Sequence, residues 1–316
     1  MRRSIHSTSS ACSAPAIRAA KRTAKVRFVD WLKTNTGQSV DPEFIFDIQI
    51  KRIHEYKRQL LNALHVVVLY QRLRDNPGLS LPPRTFFFAG KAAPAYRFAK
   101  LLIKFINQLA DTIQGDPAVR DRLKVVFVPD YCVSVAERLI PASDVSEQIS
   151  TAGYEASGTS NMKFMMNGAL TIGTRDGATI EMAAAAGEEN FFLFGLNADQ
   201  VAGTRGWYQP QWHYDHDPET RAALDLIASD HFSRHEPGVF VPILDTLLRH
   251  GDHYLHLADL GSYGEAHSRL GELYRDPEAW TQKVVLNIAA SGAFSSDRTI
   301  ADYAREIWRV ESCPIA

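Results

Sequence analysis

Strand-like apolar runs alternate with helical segments between residues 44 and 194, and this alternation constrains the fold more than any other feature. The predicted strands cover 44–50, 84–89, 124–128, 169–173 and 190–194. The predicted helices cover 51–74, 96–113, 133–139, 157–167 and 180–186, and 146–150 is predicted as a further short helix. Strands that are apolar on both faces and joined through helices predict a parallel sheet covered by helices on both sides. The predicted fold is therefore α/β, a doubly wound Rossmann-like sheet.

The chain divides into three parts by composition. Residues 1–24 contain basic, Ser and Ala residues but no acidic residue, so we predict a disordered basic tail, with an organelle-targeting segment as the alternative. Residues 25–197 carry the alternating pattern and form the predicted Rossmann-like domain. Residues 198–316 show helical patterns between polar loops, so we predict a mostly helical segment that packs on that domain.

Charge and cysteine content exclude several classes of protein. The 316 residues include 35 Lys and Arg against 36 Asp and Glu, which argues against a dedicated nucleic-acid or membrane-surface protein. Apolar runs are too short for a membrane span. Three widely spaced cysteines, Cys12, Cys132 and Cys313, do not form a disulfide framework. We therefore predict a reducing compartment, the cytoplasm.

Cations cluster directly after the first predicted strand. Lys51, Arg52, Lys57 and Arg58 lie within eight residues, with Glu55 as the only carboxylate among them. Ligands of doubly wound sheets bind beyond the carboxyl ends of the strands. A cation cluster there indicates an anionic ligand, with phosphate as the natural candidate. A solvated helix start is the alternative.

Two further loops follow predicted strands or open helices. The segment GKAAPAY (90–96) lacks the spacing of a nucleotide-binding P-loop, and a tight turn explains it equally well. Gly158 and Thr159 open a helix whose free N–H groups suit an anion, and Lys163 lies one turn later in an apolar run, where burial would lower its pKa. A phosphate cradle beside such a lysine suits pyridoxal phosphate. A capped helix with an exposed lysine is the alternative.

Histidine and tryptophan clusters have weaker signals. His250, His253 and His256, and the run 213–217, lack a zinc signature, so we predict no metal site. Trp207, Tyr208 and Trp212 are predicted to pack a segment between lobes, with stacking on sugars as the alternative.

Several long motifs resemble those of the glycogen, starch and maltodextrin phosphorylases. They are KRIHEYKRQLLN (51–62), GKAAPAY (90–96), DYCVSVAERLIPASDVSEQIS (130–150), EASGTSNMKFMMNGALTIGT (155–174) and GEENFFLFG (187–195). The resemblance implies an α-1,4-glucan phosphorylase, a glycosyltransferase that releases α-D-glucose 1-phosphate from a glucan end and inorganic phosphate. It implies a GT-B fold, of which this chain matches the C-terminal lobe, and pyridoxal phosphate as cofactor. It also implies a homodimer and membership of a family with allosteric control.

The resemblance assigns roles by position. Lys163 matches the lysine that forms the imine with the cofactor, and Lys51, Gly158, Thr159 and Tyr131 match its other contacts. Arg52 and Lys57 match the cations that bind substrate phosphate and, with Lys51, support catalysis. Glu155 and Ser157 match contacts to the glucosyl hydroxyls.

The resemblance also has departures. Cys132 stands where some relatives carry arginine, and the family's chains are much longer. We expect the activity to require the N-terminal lobe of the family as a partner, because half a cleft does not exclude water. The alternative is a non-catalytic lobe that at most binds pyridoxal phosphate.

Overall fold

A six-stranded parallel sheet forms the centre of the molecule. The computed structural model describes residues 7–311 and residue 313, with side chains described from Ala14 onward. The strands are Ile45–Ile50 (β1), Arg84–Ala89 (β2), Leu123–Phe127 (β3), Val145–Gln148 (β4), Leu170–Gly173 (β5) and Phe192–Leu193 (β6). Their order is β3-β2-β1-β4-β5-β6 and every pair is parallel. The predicted doubly wound α/β sheet is confirmed.

Helices connect these strands and continue beyond them. The first six are Ser7–Thr36 (α1), Gln59–Asp75 (α2), Arg97–Gly115 (α3), Val133–Ala142 (α4), Ser160–Met166 (α5) and Thr179–Ala186 (α6). The later ones are Ala198–Thr204 (α7), Pro210–His216 (α8), Pro218–Ala228 (α9), Val241–Leu244 (α10), His256–Tyr274 (α11), Pro277–Ala290 (α12) and Ser296–Asp302 (α13). The chain from Ala198 onward is thus helical with loops, as its sequence pattern predicts.

The sheet is buried on both faces by different helices. In β2, Phe86 and Phe88 pack in the core that α2, α3 and α11 share, whereas Phe87 packs on the opposite side with Phe28 of α1 and Leu139 of α4. Because strand side chains alternate between faces, apolar residues are needed at successive positions. This explains the apolar run 86–89 of β2, whereas β1 also buries the polar residues Asp47 and Gln49.

Strand β4 corrects the helix predicted at 146–150. Val145–Gln148 pairs with β1 and β5 in the middle of the sheet, and all four residues are buried. Its polar residues Ser146, Glu147 and Gln148 conceal the strand in the sequence, because buried strands are normally apolar. Gln148 donates to Ser146 Oγ within the strand at 2.9 Å, whereas Glu147 accepts from the distant Tyr263 of α11 at 2.9 Å.

Helix α1 corrects the disordered tail predicted for residues 1–24, of which residues 1–6 lie outside the described part. The Lys21 Nζ atom donates to the carbonyl oxygens of Pro141 (2.9 Å), Ser143 (2.5 Å) and Asn167 (2.8 Å). Lys25 pairs with the buried Asp144 at 2.6 Å. In the part of α1 predicted to be a tail, Lys21 forms the contact to the domain, and the apolar contacts of α1 through Phe28 and Leu32 come later in the helix. A search of residues 1–24 for an apolar helical face therefore misses this contact.

Candidate functional site

The sheet order reverses between β1 and β4, and the loops that follow these two strands meet there. Ligands of open parallel sheets bind in the crevice beyond the carboxyl ends of such a strand pair. The backbone N–H of Thr151, after β4, donates to the carbonyl of Tyr56, after β1, at 3.0 Å. The cation cluster of 51–58 and the predicted cradle of 155–159 therefore belong to one crevice.

Arg58 ends the loop after β1 and determines its shape. Glu55–Lys57 forms a single 3-10 turn, Arg58 has φ of 56°, and α2 begins only at Gln59, so the helix predicted from residue 51 is wrong at its start. The Arg58 side chain is fully buried, with its Nη1 2.6 Å from Asp259 Oδ2 of α11 and its Nε donating to the Ile149 carbonyl at 2.7 Å. This contact requires the left-handed backbone that interrupts the helix, and it ties the loop to β4 and α11.

Lys57 and Glu155 form an ion pair across the crevice. The Lys57 Nζ and Glu155 Oε2 atoms are 2.5 Å apart, and the side chains are 13% and 18% exposed. Burial is the largest single influence on the pKa of Lys57 and lowers it, but the hydrogen bonds and charges of Glu155 and Tyr56 together outweigh burial and raise this pKa. Asp176 holds the Glu155 loop, since its carboxylate accepts from the Glu155 N–H at 2.9 Å and from Ser150 Oγ at 2.7 Å. The charges of both loops are therefore positioned by the fold.

Lys51 lies at the carboxyl end of β1 with its amine desolvated. Burial lowers the pKa of Lys51 to about 8, against the opposing effect of Glu155. Among the described residues, no side chain forms a hydrogen bond or ion pair with the Lys51 amine. A Cβ atom at Gly90, the residue after β2, would lie 1.8 Å from the Lys51 carbonyl oxygen, so only glycine permits this backbone approach. The site thus presents a partly buried cation without a bound carboxylate.

Glycines shape the predicted cradle. Gly158 has φ of 82°, and a Cβ at Gly177 would lie 2.5 Å from the Ser157 carbonyl oxygen. The Ala178 N–H donates to this carbonyl at 2.8 Å, which fixes the turn before α5. Thr159 occupies the N-cap of α5 without a side-chain capping bond, and within the first turn the Met162 N–H donates to Asn161 Oδ1 at 3.0 Å.

Lys163 is exposed on α5, which corrects the expectation that its apolar neighbours bury it. Phe164 and Met165 turn into the protein, whereas Lys163 points away from them, because successive helical positions lie about 100° apart. Within the crevice, burial lowers the pKa of Lys51. An exposed Lys163 amine is accessible to a ligand.

The remaining predicted residues differ in their exposure. Arg52 and Ser157 are exposed, on the loops after β1 and β4 respectively. Tyr131 is partly buried against the core under α1 and α4, and burial raises its pKa. Lys57 and Glu155 are therefore the predicted residues that an ion pair connects directly, and the charges of both act on the pKa of Lys51.

A buried polar network below the crevice is missing from the sequence analysis. Arg84 donates to Asp47 Oδ2 at 3.1 Å and to His267 Nδ1. Because His267 Nδ1 accepts a hydrogen bond, the ring hydrogen lies on Nε2. The His267 Nε2 atom is 3.3 Å from Glu147 Oε1. Tyr263 donates to Glu147 Oε2 at 2.9 Å. Ligand-type atoms of Asp47, Glu147 and His267 lie within 4.8 Å of one another. Arg84 and Tyr263 bond to one atom of each residue, while Asp47 Oδ1, Glu147 Oε1 and His267 Nε2 have no hydrogen-bond partner among the described residues. The sequence signal that could have revealed this network is one carboxylate within each of two strands, Asp47 in FDIQI and Glu147 in VSEQ.

Glu147→Gln should flatten the dependence of stability on pH. Burial and the nearby Asp47 carboxylate raise the pKa of Glu147 well above 4.5, its usual value, so the folded state keeps a proton that the unfolded chain loses. Between these pKa values, stability falls by about 1.4 kcal/mol per pH unit. Urea unfolding from pH 4 to 8 measures the difference, with Glu43→Gln, an exposed carboxylate, as control. Parallel profiles for E147Q and the unchanged chain would contradict a protonated Glu147.

Sulfate binding at the crevice should weaken as the pH rises through about 8. The Lys51 amine loses its charge there, whereas sulfate keeps its own, so affinity should fall by up to about ten-fold per pH unit above the pKa. Calorimetric titrations at pH 7, 8 and 9 measure this effect. Lys51→Arg keeps the charge and should give a flat profile; a slope equal to that of the unchanged chain would assign the titration to another group.

The structure also places the histidine cluster at 250–256 and bears on membrane-spanning helices. His256 is buried with its Nδ1 2.6 Å from Asp252 Oδ1, while His253 is exposed, so these histidines do not face a common point. Within residues 7–311, no helix combines the length and apolarity required to cross a bilayer.

Comparison with known proteins gives one consistent family. The model of the carbohydrate phosphorylase family matches residues 6–310. The chain is 52% identical over 292 residues to brain-form glycogen phosphorylase of Homo sapiens, a match that covers 92% of this chain and 34% of that protein. It is 51% identical to the muscle form of Mus musculus, covering 92% and 35%, and to glycogen phosphorylase of Synechocystis, covering 92% and 34%. The chain spans about a third of the length of these relatives.

Proposed function

Because this chain belongs to the carbohydrate phosphorylase family, we propose that it takes part in α-1,4-glucan phosphorolysis, in which it binds pyridoxal phosphate and positions inorganic phosphate. The observation that carries the proposal is the juxtaposition of Lys51, Lys57 and Glu155 where the sheet order reverses. Two cations and one carboxylate suit a phosphate next to a sugar hydroxyl.

Several features support pyridoxal phosphate as the resident cofactor. Among the described residues no carboxylate binds the Lys51 amine, the turn at Gly158 and Thr159 leads into α5 without a side-chain cap, and Lys163 is accessible. We assign the cofactor phosphate to Lys51, Gly158 and Thr159, its aldehyde to Lys163, and one side of its ring to Tyr131. When bound, the cofactor supplies a phosphate group that exchanges a proton with the substrate phosphate.

The chain's own residues then have separate tasks. Arg52 and Lys57 bind the substrate phosphate by charge, and Glu155 and Ser157 accept or donate hydrogen bonds to the glucosyl hydroxyls. Arrival of phosphate gives Lys57 a second anionic partner, so the Lys57–Glu155 pair can loosen and release the carboxylate to the sugar. Positive charge fixed before substrate arrives needs no reorganisation during the reaction, which is the usual source of electrostatic catalysis.

Binding of pyridoxal phosphate tests this proposal directly. Titration of the 316-residue chain with pyridoxal phosphate should saturate at about one equivalent per chain, because the proposed site binds one phosphate group. Absorbance of the bound chromophore and equilibrium dialysis report the stoichiometry. The double variant Lys51→Ala, Lys163→Ala should bind none, whereas binding that does not saturate in the unchanged chain would refute the proposal.

A further inference from the structure

Two tryptophans outside the candidate site are exposed but held in fixed orientations. Trp207 is 68% exposed and Trp212 is 56% exposed. Trp207 Nε1 donates to the Gly203 carbonyl at 2.6 Å. Trp212 stacks on His216 with ring centroids 4.7 Å apart and planes 16° apart. Exposed aromatic rings that already have one orientation lose little entropy when a ligand stacks on them.

The two rings border a groove without charged side chains. Its volume is about 430 Å³, and its lining consists of Leu196, Thr204, Trp207, Tyr208, Gln209, Trp212, His213 and Ala258. Burial lowers the pKa of His213, so this ring is neutral at pH 7. A lining of aromatic, aliphatic and neutral polar groups fits a ligand with apolar faces and hydroxyl edges, not a phosphate or a charged peptide.

The groove continues toward the candidate site. A neighbouring groove of about 600 Å³ shares Thr204 and Tyr208 with it and extends to Glu55, Tyr154 and Tyr254. Tyr154 precedes Glu155 in the chain and packs on Tyr254 with ring centroids 5.4 Å apart. Tyr208 is fixed between the two grooves, because its hydroxyl donates to Asp252 Oδ2 at 2.9 Å. An aromatic path therefore leads from the crevice to the two tryptophans.

We propose that Trp207 and Trp212 form a second binding site for an α-1,4-glucan chain, separate from the site of the reaction. The ligand class rests on the proposed function, while the site rests on the groove itself. Pyranose rings present C–H groups on their faces and hydroxyls at their edges. The tryptophan faces stack on the C–H groups, and the exposed Gln209 amide provides a hydrogen-bond donor and acceptor, while the Thr204 and Tyr208 hydroxyls donate within the protein. Such a site holds a long glucan while its end is processed elsewhere.

Affinity electrophoresis of the full chain in native gels that contain glycogen tests the proposal. The unchanged chain should be retarded, and each of Trp207→Ala and Trp212→Ala should weaken the apparent affinity by about ten-fold, by analogy with stacking of bases on aromatic side chains. Trp308→Ala is the matched control, because Trp308 is 55% exposed and lies outside the groove. It should be retarded like the unchanged chain.

Further variants separate this inference from the proposed function and from misfolding. Trp207→Phe with Trp212→Phe keeps flat rings and should retain most of the affinity, whereas the double alanine variant should lose it. Lys163→Ala should leave glycogen retention unchanged, so loss of cofactor binding and loss of glucan binding are scored independently. Retention that is insensitive to the double alanine variant would overturn the proposal. So would a tryptophan-dependent shift in sedimentation without glucan binding, which would assign the groove to a second copy of the chain.

Discussion

Lys163→Ala abolishes covalent capture of pyridoxal phosphate, and labelling after borohydride reduction is confined to Lys163 in the unchanged chain. This result is expected because Lys163 is exposed one turn after the open turn at Gly158 and Thr159. A ligand whose phosphate lies at that turn brings its aldehyde within the reach of an amine one helical turn away. Peptide mass spectrometry of the reduced chain locates the pyridoxyl group.

Lys51 is the chemical competitor in this experiment. Its pKa of about 8 leaves a substantial neutral fraction at pH 8, and a neutral amine is the nucleophile in this reaction. Pyridoxyl label on Lys51 in the unchanged chain would reverse the roles that we assign to the two lysines. Lys100→Ala removes an exposed helical lysine far from the crevice in sequence and should leave the labelling of Lys163 unchanged. Label spread over many lysines would contradict a specific site.

Arg58→Ala lowers the free energy of unfolding by about 3–5 kcal/mol, since it leaves a buried carboxylate without its cation. Arg58 and Asp259 are 0% and 3% exposed, and the guanidinium also donates to the Ile149 carbonyl. Urea or thermal unfolding followed by circular dichroism measures the change. The same variant should weaken phosphate and cofactor binding, because the loop that carries Lys51 and Lys57 loses its anchor.

Arg72→Ala provides the matched control. Arg72 pairs with Glu219 at 2.5 Å, but these side chains are 35% and 51% exposed, so its removal should cost less than about 1 kcal/mol. Arg58→Lys keeps the charge without the planar fork and should recover part of the stability. Equal costs for R58A and R72A would show that burial of the Arg58 pair does not determine its contribution.

The elements that the sequence predicts correctly are those with a local signal. β2 repeats an apolar pattern that any buried strand shows, and α3 carries one apolar face that includes Leu102, Phe105 and Leu109. The cation loop of the crevice was predictable as well, because residues 51–58 follow the predicted strand β1 and ligands of parallel sheets bind beyond such strand ends. The strand before the glycine turn, β4, was predicted as a helix.

The elements that it misses depend on partners far away in the chain. β4 is polar and is a strand because β1 and β5 flank it, and Glu147 is buried because Tyr263 and His267 approach from α11. Helix α1 attaches through Lys21 and Lys25 to carbonyl and carboxylate groups more than a hundred residues away. No local pattern contains this information.

By itself, the sequence determined the parallel α/β architecture, the phosphorylase family and the two loops of the crevice, since periodicity and motif spacing are local properties of the chain. Only the tertiary structure decided which lysine is desolvated, where α2 begins and which tryptophans remain exposed. Burial and hydrogen bonding depend on the sum of all neighbours, and those neighbours are adjacent in space but not in sequence.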